Sequence, residues 1–311
     1  MSGLTVGIVA VSTSAILARF AMGEQPGVLT AEAGAAPALA VAFWRTLGGA
    51  LALAPFAWRT GRRHPGTITA RHHRVLAGSG VALGLHFALF QGALALTTVA
   101  SATTLATMSP VFVALGAWWL LGEPTARRTW LGMALTVAGA AVIGIADARG
   151  ADHAPAALLG DLMALGSAVA ITGYLLAGRA VRREVGAMPY SAIVYAWASA
   201  GLLVACLVTG TALTGFDPVT WLLLAGIVVG PQLLGHTVFN TLLSTVSATV
   251  VSIAVLSEPV GAGLLAWLLL DELPVLGFFA GAPLVVIGVA LAVLRPPDQP
   301  TGEPRGAPAR R

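Results

Sequence analysis

Residues 110–141 read PVFVALGAWWLLGEPTARRTWLGMALTVAGAA, and residues 259–290 read PVGAGLLAWLLLDELPVLGFFAGAPLVVIGVA. A shift of 149 residues lays the second on the first without a gap. The identical pairs are Pro110/Pro259, Val111/Val260, Leu115/Leu264, Ala117/Ala266, Trp118/Trp267, Leu120/Leu269, Leu121/Leu270, Glu123/Glu272, Gly132/Gly281, Leu135/Leu284, Val137/Val286, Gly139/Gly288 and Ala141/Ala290. Apolar bias alone aligns leucines and valines, but not a proline, a tryptophan and a glutamate in one register. The chain therefore reads as two copies of one unit, residues 1–147 and 156–295, followed by a tail, 296–311, whose Pro-rich composition predicts disorder.

Composition sets the environment of that unit. Hydrophobic residues make up 57% of the 311, charged residues 10%, and mean hydropathy is +0.86. Soluble domains carry about 25% charged residues. A soluble core cannot hide this much apolar surface, whereas a bilayer takes it as solvent at about 20 residues per crossing. Ten apolar runs qualify: 4–22, 37–58, 75–96, 100–121, 129–147, 158–180, 189–210, 219–242, 248–270 and 274–294. Their length and their lack of strict alternation select helices over barrel strands. The predicted fold is an all-α integral membrane protein of ten transmembrane helices, five per copy. An odd number of spans makes the second copy enter the membrane upside down. Inverted repeats of this kind hold a substrate site near the midplane between them and are a mark of secondary transporters.

Arginines set the orientation. The chain has 17 basic residues, all of them arginine, and a formal net charge of +4. With the N-terminus inside, the inner set is Arg59, Arg62, Arg63, Arg71, Arg74, Arg127, Arg128, Arg179, Arg182, Arg183, Arg295, Arg305, Arg310 and Arg311. Only Arg149 falls outside, and Arg19 and Arg45 lie within spans. Cytoplasmic loops are enriched in basic residues, so both termini are predicted cytoplasmic in a multi-pass protein of the cell membrane. Arginines scattered between apolar runs exclude a nucleic-acid-binding face. A single cysteine, Cys206, excludes a disulfide framework and a cysteine-ligated metal. Met1 to Leu4 carry no basic residue and no small-residue cleavage site follows, so the first run is read as a retained span.

These residues resemble the EamA domains of the drug/metabolite transporter superfamily. The shared pattern is an apolar helix with a central proline, a glutamate thirteen residues on, and a glycine-bearing helix, each present twice. Further matches are Phe43-Trp44-Arg45 in the second run, Gly160-Asp161-Leu162 opening the sixth, and Leu234-Gly235-His236 with Asn240 in the eighth. The resemblance covers the chain except its tail. It implies ten helices in an inverted repeat and carriage of small metabolites or drugs, often outward, without naming a substrate. The second-half counterpart of the second run, around Tyr190 to Ala200, lacks an arginine, so no duplicated role for Arg45 follows.

An ionisable side chain at membrane depth costs roughly 2.5–3.5 kcal/mol on insertion scales, so each needs a reason to be there. Glu258 falls mid-span in the ninth run, where its first-copy counterpart is Ser109. It is the coupling candidate: a carboxyl there can pass protons or hold a cationic group, or it can be a hydrogen-bonded packing residue beside Pro259. Arg45 lies eight residues inside its run, about 12 Å along the axis. Its guanidinium can hold a carboxylate by two parallel hydrogen bonds, or pair with Glu258 or helix-end carbonyls. Arg19, near the outer end of its span, is expected to snorkel.

His86 is central in the third run, and His236 with Asn240 share a face of the eighth at four-residue spacing. The 149 shift sets Asn240 over Gln91. These polar groups line a cavity or bond between helices. Pro110, Pro231 and Pro259 are expected to kink their helices. Glu123 and Glu272 end their spans as interface anchors, with a gate salt bridge left open.

The sequence thus predicts a carrier working by alternating access, with Arg45, His86, Gln91, His236, Asn240 and Glu258 around its cavity. Its partners are a small-molecule solute, amino-acid-like or otherwise polar or amphipathic, and the lipid bilayer, with a homodimer left open. No cofactor or metal is called for. A passive facilitator, an uptake carrier and a lipid carrier of the same fold remain open. An intramembrane enzyme would need clustered acid, base or nucleophile, and one mid-membrane acid does not supply it.

Overall fold

A computed structural model describes residues 2–23, 34–63, 68–97, 99–123, 125–148, 155–258, 260–262, 264–265 and 276–293. Pro259, Trp267, Glu272 and the tail lie outside the described residues. Among the described residues the chain is helical throughout, without strands: α1 (Ser2–Ser12), α2 (Ser14–Ala21), α3 (Ala38–Arg63), α4 (Ala70–Leu96), α5 (Val99–Ala106), α6 (Ser109–Leu121), α7 (Arg127–Ala148), α8 (Pro155–Val181), α9 (Ala187–Thr209), α10 (Pro218–Ile227), a π-helical stretch Val228–Thr237, α11 (Val238–Leu242), α12 (Ala248–Val255) and α13 (Leu276–Val293). Among the described residues, seven segments are long and apolar enough to cross a membrane: Gly3–Ala21, Ala38–Thr60, Ala70–Leu96, Ala102–Leu121, Ala156–Val181, Ala187–Thr209 and Pro218–Leu242. They coincide with seven of the ten predicted runs. The fifth, ninth and tenth correspond to α7, to α12 and the residues after it, and to α13.

Local chemistry sets several of the ends. Thr69 and His72 form a capping box at the start of α4: the Thr69 hydroxyl accepts the His72 amide and the His72 ring accepts the Thr69 amide. Gly122 closes α6 in the left-handed conformation at φ 64°, where a Cβ would be strained, and the Glu123 amide returns to the Ala117 carbonyl. Outward-facing side chains such as Trp119, 79% exposed, and Leu276, 87% exposed, are apolar, which suits lipid rather than water.

Two helices break at the same place in the repeat. The first passes from α5 to α6 through a turn at Thr107 and Met108; the other turns at Leu256 and Ser257, 149 residues on, and resumes at Glu258. Pro110 sits in the first turn of α6. Lacking an N–H, it cannot bond the carbonyl four residues back, so the chain breaks ahead of it. Thr107 takes up some of the freed bonding by donating to the Thr104 carbonyl at 2.8 Å, and Thr104 donates across to the Ala140 carbonyl of α7 at 3.3 Å. Pro231 lies inside the π-helical stretch, where the helix widens and continues instead of breaking.

The largest packing partnerships join the two halves: α7 with α13, α4 with α8, α3 with α9, α4 with α9, and α1 with the π-helical stretch. The first of these reveals how the halves are related. A methyl group added to Gly139 would come within 2.6 Å of the Gly281 carbonyl oxygen and 2.9 Å of the Val285 nitrogen. One added to Gly288 would come within 2.5 Å of the Gly132 carbonyl oxygen and 2.8 Å of the Thr136 nitrogen. Under the 149 shift these two sets of neighbours are the same positions. Each copy therefore presents its later glycine to the other copy's earlier one, which requires antiparallel helices about a local two-fold axis.

Candidate functional site

Where the two copies meet there is a cavity, lined from α1 and α2 (Val11, Ser14), α3 (Arg45), α4 (His86, Phe87, Phe90), the α5–α6 break (Thr103, Ala106, Thr107, Ser109), α8 (Ile171, Tyr174, Leu175), the π-helical stretch and α11 (His236, Phe239), and the α12 break (Ser252, Val255, Glu258). About 50 Å³ is open to the centre of a water-sized molecule. One water needs about 10–15 Å³ on that measure, so a few waters fit and a larger solute requires the helices to part.

The lining is built on the repeat. Thr103/Ser252, Ala106/Val255, Ser109/Glu258, Phe87/His236 and Phe90/Phe239 are each 149 residues apart, and all ten residues face the cavity. Hydroxyl and aromatic positions match between copies. Charge and imidazole do not: Glu258 stands opposite a serine and His236 opposite a phenylalanine, while Arg45 and His86 come from the first copy alone. The result is a mainly apolar chamber carrying one acid, one guanidinium and two imidazoles.

Arg45 is 1% exposed. Its Nε donates to Gln232 Oε1 at 3.1 Å and its Nη1 to the Ser14 hydroxyl at 3.2 Å, and the guanidinium carbon lies 3.8 Å from the centre of the Phe87 ring. The remaining Nη2 has no hydrogen-bond partner among the described residues. Ser14 is available because α1 ends at Ser12 and α2 starts at Ser14; Gln232 comes from the π-helical stretch. Helix irregularity thus supplies both supports of the buried cation. Stacking on Phe87 adds a cation–π contact that is strongest when water is excluded.

Glu258 is 9% exposed and opens on the same cavity. No ion pair joins it to Arg45 among the described residues; the ion pairs there are His72–Glu184 and Arg179–Glu123. The opposite charges therefore share a chamber without being joined. His86 Nδ1 meets the Ser167 hydroxyl at 2.7 Å and the Ser167 carbonyl at 3.1 Å, and its ring stacks on Phe90. His236 lies 6.4 Å from His86 between ring centres, edge-on, and packs against Phe87 and Tyr174.

Of the six residues singled out from sequence, Arg45, His86, His236 and Glu258 meet in this cavity, and Gln91 and Asn240 do not line it. Asn240 sits behind the wall: it accepts from the Tyr174 hydroxyl at 2.5 Å and donates to the Ser191 hydroxyl at 2.8 Å. Gln91 is fully buried in α4, with both amide atoms unpartnered among the described residues. Arg19 finds its partners at the end of a neighbouring helix. Its guanidinium bonds the carbonyls of Leu94 and Thr97, covering the end of α4. Sequence reasoning missed Ser14, Tyr174 and the pairs Phe90/Phe239 and Thr103/Ser252. The same 149 shift held the signal for both pairs.

Comparisons agree with this architecture. One solved crystal structure matches with a TM-score of 0.70 at 22% identity, covering 94% of this chain and 96% of the other, which shows a shared fold. Among curated proteins none matches. The model of the EamA-like transporter family matches twice, over residues 14–145 and 158–294, one match per copy. On that double match the chain, a multi-pass membrane protein, belongs to the EamA-like transporter family.

Proposed function

We propose that this protein is a secondary transporter that carries small polar or amphipathic solutes, amino-acid-like metabolites or drugs, out of the cell by alternating access. Ten spans in two inverted five-helix repeats enclose the cavity, with both termini and the arginine-rich loops on the cytoplasmic side. The observation that carries this reading is the cavity between repeats, which holds Arg45 and Glu258 in an apolar chamber with no ion pair between them among the described residues. A buried charge is costly unless paired, and a solute bearing a carboxylate and an amine would satisfy both. Arg45 holds the anionic group against Phe87. Glu258 holds the cationic group or exchanges a proton with it. The antiparallel crossing of α7 and α13 supports the inversion, and the positive-inside rule supports the orientation.

The test is untargeted mass spectrometry of medium and cell extract from cells producing the wild type or Glu258→Gln at equal membrane abundance. Export predicts a solute enriched outside only with the wild type. An identical set of solutes from both strains contradicts the assigned role of Glu258, and a solute enriched inside contradicts the direction.

A further inference from the structure

Arg179 near the end of α8 and Arg182 in the turn just after it stand apart from the cavity, at the end of the bundle that carries the basic loops. Tyr174 lines the cavity, and Arg179 and Arg182 follow it by five and eight residues, about 7.5 and 12 Å along the helix axis. Arg179 places Nη2 and Nε each 2.7 Å from Glu123 Oε1, just beyond α6, and its Nη1 donates to the Leu243 carbonyl at 3.1 Å, just beyond α11. Arg182 donates through Nε to the Asn240 carbonyl at 2.6 Å and through Nη1 to the Val185 carbonyl. His72, at the start of α4, meets Glu184 at 2.9 Å. The end of α8 is thereby tied to α6 and α4 of the first copy and to α11 of the second. Leu243 and Tyr190, both fully buried, fill the space beneath.

We propose that Arg179 and Arg182 form a latch that shuts the arginine-rich end of the cavity, and that the solute releases it through Tyr174 and Asn240. This rests on the alternating-access reading above. A cavity between two repeats opens at this end only if the end of α8 parts from the ends of α6 and α11, and the bonds of Arg179 to Glu123 and Leu243 and of Arg182 to Asn240 cross those seams. The ion pair is charge-assisted, with two guanidinium nitrogens on one carboxylate oxygen, and its side chains are 10% and 29% exposed.

The route to the cavity is equally direct. Asn240 offers its backbone carbonyl to Arg182 and its side-chain oxygen to the Tyr174 hydroxyl. The Tyr174 ring faces His236 inside the cavity. A solute that moves this ring pulls on the residue to which Arg182 is anchored. A static staple would give the same contacts but no dependence of access on them, and that difference is measurable.

The test places a reporter cysteine at Ser252 in a Cys206→Ala background and measures its labelling by a membrane-impermeant maleimide applied to each face of oriented vesicles. Glu123→Gln and Arg179→Gln are expected to raise the labelling rate from the arginine-rich face about tenfold and to lower it from the other face. Tyr174→Phe, which removes the hydroxyl bonded to Asn240 and keeps the ring, is expected to raise it about threefold. The exchange Glu123→Arg with Arg179→Glu is expected to bring the rate back towards that of the parent. Unchanged rates from both faces in Glu123→Gln and Arg179→Gln, at parental abundance, overturn the latch while leaving the transport reading intact. A reporter that labels from neither face in any variant overturns both.

Discussion

Replacing Gly139 or Gly288 with alanine tests the relation between the two copies through a cost that can be worked from geometry. The added methyl would sit 2.6 Å from the Gly281 carbonyl oxygen in one case and 2.5 Å from the Gly132 carbonyl oxygen in the other. Both of these obstacles are backbone and cannot swing aside, and at Gly288 the Thr136 hydroxyl, bonded to that same Gly132 carbonyl, crowds the methyl as well. Reaching an ordinary contact of about 3.4 Å means parting α7 and α13 by roughly 0.9 Å, and a gap of about 0.5–1 Å forfeits a quarter to a half of each dispersion contact. Overpacking of this kind costs about 1–3 kcal/mol, against which alanine gains about 1 kcal/mol in helix propensity. Gly201→Ala isolates that gain, because nothing lies within 4 Å of its added methyl. Thermal midpoints of the purified protein in detergent should therefore place both Gly139→Ala and Gly288→Ala below Gly201→Ala, with Gly288→Ala at least as low because its methyl also meets the Thr136 hydroxyl. The double variant should lose less than the sum, because the helices part only once. Either alanine behaving like Gly201→Ala would refute the two-fold crossing.

Three further outcomes follow from the cavity and its surroundings. Arg45→Ala should raise the transport KM for an anionic or zwitterionic solute about tenfold or more at normal abundance, measured by uptake into vesicles, whereas Arg45→Lys should recover part of it by keeping the charge without the planar fork. Glu258→Gln should abolish any dependence of transport on a pH gradient while the protein still inserts; flux assayed with and without an imposed gradient reads this, and retained coupling would sink the proton role. Arg19→Ala should lower the thermal midpoint by an amount equivalent to about 1–3 kcal/mol, because the carbonyls of Leu94 and Thr97 lose a charged donor.

The repeat was legible because it rests on residues that composition cannot place by chance, Trp118/Trp267 and Glu123/Glu272 among them. The glycines that later proved to cross, Gly132 with Gly288 and Gly139 with Gly281, were already in that register. Depth was legible too, since a charge inside an apolar run is expensive wherever the helix faces, and depth located Arg45 and Glu258. Facing was not. Asn240 and His236 lie four residues apart, yet one looks into the cavity and the other bonds Tyr174 behind it, because the π-helical stretch that ends at Thr237 changes the turn angle between them. No periodicity announces that change. Arg19 shows a second blind spot: its partners are backbone carbonyls 75 and 78 residues away, and sequence says nothing of which helix end will lie beside it. The helix breaks were half legible. Pro110 marks one, while the break at Thr13 in the first span has no proline, and it is the break that delivers Ser14 to Arg45.

The central claim is that one chamber between the two repeats carries the solute and faces each side of the membrane in turn. Counterflow in proteoliposomes tests it most directly, with the exported solute loaded inside and a trace of labelled solute outside. The account predicts that internal solute accelerates entry of the label in the wild type, and that filling the chamber from either copy, with Ser252→Trp or Thr103→Trp, abolishes this at equal reconstitution. Entry that is indifferent to internal solute, or undiminished when both positions are filled, would contradict it.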